Sequence, residues 1–119
     1  MNNLTNFTTT VKEECPKGWE ALRYYLGNNE CPHFEVESLV DYSPPITNVS
    51  FLTIEGYLRG YLREKFLFFK EEYFSTELGS YDMAVWEMGS NICISVGHDT
   101  DYETAFLTAC LEAFKYLEK

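Results

Sequence analysis

A chain of 119 residues, 45% of them hydrophobic and 24% charged, is long enough for one domain with a single ordinary core. Nineteen acidic against nine basic residues leave a net charge of −10, which opposes direct binding to nucleic acid, because that depends on Lys and Arg neutralising phosphates. No apolar run approaches the roughly 20 residues of a membrane span, and the polar stretch Met1 to Thr10 is no signal peptide, so the expected location is the cytoplasm.

Residues 1–12 are rich in Asn and Thr; Phe7 and Val11 fit either a short edge strand or a mobile arm. Pro16 to Leu26 reads as a first helix, with Pro16 suited to its first turn, Gly27 and Asn28 as its stop, and Trp19, Leu22 and Leu26 on one face. His33 to Glu37 alternates like a short strand. Leu39 to Val49 contains Pro44 and Pro45, which continue neither a helix nor a central strand, so it reads as a surface connection.

Thr53 to Lys65 predicts a second helix, with Ile54, Tyr57, Leu58, Tyr61 and Leu62 as its apolar stripe and Glu55, Arg59 and Arg63 opposite. Gly56 and Gly60 weaken it unless another backbone approaches there. Phe66 to Phe74, Tyr81 to Met88 and Asn91 to Val96 follow as three strands, joined by turns short enough to make an antiparallel meander the economical arrangement. On the second strand Met83 and Val85 share one face, and Ala84, Trp86 and Met88 the other. On the third, Ile92, Ile94 and Val96 make an apolar row, with Cys93 and Ser95 behind it.

Thr100 to Lys119 is the clearest helix. Thr100 and Glu103 fit a capping box, and nothing in the interior breaks the helix. Its apolar residues, among them Phe106, Ala109, Cys110, Ala113 and Leu117, cover roughly 200° of the helical wheel, where an ordinary surface helix needs roughly 100°. A second helix of the same chain or a subunit interface is needed to cover the flank. The resulting fold class is α+β: one domain over 1–119, a meander of three to four antiparallel strands and two to three helices, in the order α-β-α-β-β-β-α.

Tyr61-Leu62-Arg63-Glu64-Lys65, an aromatic strand, a strand containing Trp86, and Thr100-Asp101-Tyr102-Glu103-Thr104-Ala105 opening the final helix together form a pattern. Over residues 53–119 it resembles a group of small proteins of gut bacteria and their phages or mobile elements, which carry a WLRE-type helix, a β-meander and a TYEEAL-type C-terminal helix. The chain departs from the pattern at Tyr61, where Trp is usual, and at Asp101-Tyr102, where Tyr-Glu is usual. The resemblance implies a phage or mobile-element context and brings no catalytic residue with it.

No nucleophile elbow, phosphate loop or metalloprotease motif occurs, so the chain is expected not to be an enzyme and to need no cofactor or metal. His98-Asp99-Thr100-Asp101 is the only dense polar cluster of catalytic residue types, and it has no nucleophile beside it. Cys15, Cys31, His33 and Cys93 lack the close-spaced ligand pairs of structural zinc sites; the cysteines read as reduced, with Cys110 and Cys93 buried. The leading expectation is a binding protein that blocks a host component, in its most specific form an acidic inhibitor of a nucleic-acid-binding defence protein. Paired carboxylates, Glu35 with Glu37 and Glu71 with Glu72, are its candidate contacts, and homo-oligomerisation is expected from the wide apolar arc. The alternative is an oligomeric sponge sequestering a nucleotide signal with Arg59, Arg63, Tyr57 and Tyr61. The charge itself either marks a basic partner or keeps the protein soluble.

Overall fold

The computed structural model describes residues 3–31 and 51–119, built as α1 (Asn3–Glu14), α2 (Pro16–Asn28), α3 (Phe51–Glu64), β1 (Leu67–Ser75), β2 (Ser80–Glu87), β3 (Cys93–Asp99) and α4 (Tyr102–Glu118). The class is α+β, with an antiparallel meander β1-β2-β3 and, among the described residues, the order α-α-α-β-β-β-α. The strand expected at 33–37 and the connection at 39–49 lie outside the described residues.

The first segment is neither an edge strand nor an arm but a helix. Leu4, Phe7 and Val11 recur at helical spacing and are all buried, and Phe7 meets Phe114 of α4 edge-on at 5.8 Å between ring centroids. Thr is a poor helix former in water, but here the Thr8 and Thr10 hydroxyls donate back to the Leu4 and Asn6 carbonyls at 3.0 and 2.8 Å. In α2, Trp19, Leu22 and Leu26 are buried as their spacing predicts. Cys15 offers this helix no side-chain cap. The Glu118 carboxylate, from the end of α4, accepts instead from the Lys17 and Gly18 amides at 3.1 and 3.0 Å. A carboxylate suits that position, where unpaired amides and the helix dipole both favour negative charge.

Helix α4 lies between two layers. One side packs on β2 and β3; the other meets α1 and α2, so a neighbouring helix pair of the same chain covers its flank. Its N-cap is Asp101, one residue beyond the expected Thr100: the Asp101 side chain accepts from the Thr104 amide at 2.9 Å and from its hydroxyl at 2.7 Å. Thr100 instead reaches Asp99, whose carboxylate also accepts from the Asp101 amide.

The inner row of β3 is also not the one alternation predicts. Pairing steps from Val85–Ser95 directly to Trp86–Cys93, so Ile94 is the extra residue of a β-bulge and the side-chain alternation resets there. Ser95 and Gly97 face α4, while Val96 is 56% exposed and Cys93 is exposed rather than buried. The reason lies in the approach of the helix. A Cβ on Gly97 would overlap the Ala105 carbonyl oxygen and sit 2.9 Å from the Ala109 nitrogen. Ser95 completes the contact by donating its hydroxyl to the Ala109 carbonyl at 2.8 Å, with both groups buried.

Candidate functional site

Two places gather chemistry, one at the junction of α3, β1 and α4, the other on the far face of the sheet.

At the first, Arg59 leaves α3 and inserts its guanidinium beside two stacked rings, 4.7 Å from the Phe69 centroid and 5.0 Å from that of Phe106. It donates to Glu72 at 3.0 Å, to Glu55 at 3.1 Å and to the Tyr102 hydroxyl at 3.3 Å, and Tyr102 in turn donates to Glu55. Burial pulls the guanidinium down, but the hydrogen bonds to Glu72 and Glu55 outweigh it and hold the group well above its ordinary value. Burial and the Glu55 hydrogen bond push the Tyr102 hydroxyl up. This is an ion-paired clasp between helix and sheet: one cation against two carboxylates leaves no surplus positive charge for an anionic ligand.

A groove of about 440 Å³ lies beside the clasp, lined by Arg59, Arg63, Phe68, Phe69, Glu72, Met88 and Gly89. Arg59 and Arg63 thus share it, but the two tyrosines that a nucleotide sponge would use do not line it. Tyr61 is 2% exposed and stacks on Phe114 at 5.1 Å, its phenol pushed up by burial to about 12, and Tyr57 donates to the Asn29 carbonyl at 3.3 Å. Gly60 makes room for the Tyr25 side chain rather than for another backbone, and nothing lies close to Gly56.

At the second, Glu71 and Glu72 take opposite faces as consecutive strand residues, and a β-bulge at Lys70 decides which of them turns in. Glu72 turns in to Arg59; Glu71 turns out, so Glu71 and Glu72 form no common row. Glu35 and Glu37 lie outside the described residues. The outward face is a trough of about 340 Å³. Ala84 is its floor, Glu71 and Tyr73 flank it on β1, Val96 and His98 flank it on β3, and Trp86 closes one end. Tyr73 is 55% exposed, Leu78 and Val96 are also open, and the Lys70 ammonium stands 4.1 Å from the centroid of the Trp86 ring, whose N–H has no partner among the described residues. His98 Nδ1 meets the Asp82 carboxylate on the same face. Of the cluster His98 to Asp101, then, one residue belongs to this trough, while Asp99 and Asp101 hold the start of α4. Lining this face, Tyr73, Leu78 and Val96 escaped the sequence reading. The available signal was the Trp86 side of β2, which alternation leaves without a helix to cover it.

Cys15 and Cys31 flank α2 and are buried; burial pushes both thiols up, Cys31 to about 11. Cys93 sits on the outer face of the sheet, and no three metal-ligating side chains converge among the described residues. No described helix is long and apolar enough to cross a membrane. No family model, curated protein or solved structure matches the chain.

Proposed function

We propose that this protein is a non-enzymatic binding protein that blocks a component of its host by laying the outer face of its sheet against a partner protein. The observation that carries the reading is the open trough with Tyr73, Leu78 and Val96 at its rim, on a sheet whose other face buries Met83 and Val85 beneath α4. Exposed aromatic and aliphatic side chains grouped on a rigid sheet are what protein contact surfaces are made of. The polar groups that a catalytic reading would use are engaged with one another: His98 with Asp82, Arg59 with Glu55 and Glu72. A nucleotide sponge draws less support, because Arg59 is already neutralised and Tyr61 is buried. The most specific form of the reading, inhibition of a nucleic-acid-binding defence protein, draws on the net charge of −10.

Self-association is the competing use of the same face. The wide apolar arc of α4 is covered within the chain, so the trough alone still speaks for a homo-oligomer. Light scattering on a sizing column at micromolar concentration separates the two, a monomer leaving the face to a different protein. The docking reading is tested by immobilising the protein in host lysate. A partner retained by the wild type and by a control changed on α2, Glu20→Lys, should be lost on Val96→Lys and on Tyr73→Ser. Equal retention by both trough variants overturns the reading.

A further inference from the structure

We infer that the occupant of the trough is a cationic segment of the partner, an arginine- or lysine-bearing peptide stretch; this rests on the docking reading above and names the chemistry of what docks. Three features of the face point to it. First, Glu71 stands exposed at the middle of the trough with no ion pair or hydrogen bond among the described residues, opposite Ala84 on β2, which in turn pairs with Val96. A carboxylate beside a small floor and an aliphatic wall suits a long basic side chain, whose stem covers apolar surface while its head reaches the charge.

Second, the face already holds a cation on an aromatic ring. Lys70 lies over Trp86 at 4.1 Å, the geometry that an incoming guanidinium or ammonium would adopt. Lys70 is a resident competitor: it occupies the site and repels a second cation. Third, among the described residues no Arg lines the trough, and Lys70 and His98 are the basic side chains of this face, His98 being turned to Asp82. A second copy of the chain would add another net charge of −10 and repel, and a nucleic-acid strand would meet the same opposition. From Asp82 to Trp86 the trough runs four residue rises, about 13 Å, which gives an extended peptide room for alternate side chains to reach Glu71 and the Trp86 ring together.

The test uses the full chain and a short fluorescent peptide of alternating arginine and leucine, followed by anisotropy, with circular dichroism to check that each variant keeps its fold. The peptide should bind, and binding should weaken roughly tenfold on Glu71→Lys and further at high salt. Lys70→Ala should tighten it several-fold, because the substitution clears the Trp86 ring and removes a like charge. Affinity unmoved by both substitutions, or a glutamate–leucine peptide that binds as well, overturns the inference. If partner capture remains sensitive to Val96→Lys while the peptide does not bind, the docking reading stands and the cationic occupant falls; if capture is insensitive as well, both fall.

Discussion

Along β2, Met83 and Val85 lie sealed beneath α4, while their neighbours Ala84 and Trp86 look out over a trough that no described helix covers. Strand geometry is the same for all four, because successive side chains simply take opposite faces. What differs is the partner surface. The inner face meets a helix brought to backbone contact at Gly97 and locked by the Ser95 hydroxyl; the outer face keeps Tyr73 and Val96 more than half exposed. Apolar residues facing α4 hold the fold together, and those facing away stay in contact with solvent.

That contrast can be broken first at its most buried point. Phe106 is fully buried, stacked on Phe69 at 4.8 Å and edge-on to Phe51 at 5.7 Å. Phe106→Ala should cost about 3–5 kcal/mol in urea denaturation, as buried aromatic truncations do. Gly97→Ala should follow at about 3 kcal/mol, the upper end for overpacking, because the added methyl meets helix backbone that has nowhere to move. A neutral Gly97→Ala would mean that the helix does not sit against β3 as described.

A smaller effect tests how α4 is started. Asp101→Ala should cost about 1 kcal/mol near neutral pH and Thr100→Ala much less, since Asp101 is the residue that caps. Hydrogen bonds from the Thr104 hydroxyl and amide hold the Asp101 carboxyl below its ordinary value. Its contribution is therefore complete above the pKa of an unfolded aspartate and is lost as pH falls through the lower folded value, so the gap between wild type and Asp101→Ala should close in acid. The smallest effect belongs to the outer face: Val96→Thr should move stability by no more than about 0.5 kcal/mol, the usual range for exposed positions. A large loss there would make the trough part of the core and remove the basis of the proposed docking surface.

The α+β class, the meander and three of the helices were legible because their signals are local: unbroken helical spacing in residues 53–65 and 100–119, and short Gly-containing turns between strands. Helix α1 was not. Its Thr8, Thr9 and Thr10 suggest strand or coil, and only docking on α4 makes the spacing of Leu4, Phe7 and Val11 decisive. The cap was misplaced by one residue because Thr100 with Glu103 and Asp101 with Thr104 are both plausible boxes, and the turn made by Asp99 decides between them. The trough stayed hidden for a different reason. Two single-residue bulges, at Lys70 and Ile94, reset alternation in β1 and β3, and a bulge leaves no mark in hydropathy. They are what turns Glu71, rather than Glu72, to the outer face and Cys93 away from Ser95.

The carboxylate at the foot of α2 has a consequence for the order in which the chain takes shape. Glu118 reaches amides 100 and 101 residues earlier in the sequence, and α1 and α2 rest on a helix that the ribosome completes only after the whole meander. During synthesis, therefore, the N-terminal helix pair emerges with its apolar stripes uncovered and its second helix uncapped, and waits for α4 before it can settle. The meander and α4, by contrast, are joined by short connections and contact one another closely. A nascent chain halted before α4 therefore lacks the surface on which α1 and α2 are buried and the carboxylate that caps α2.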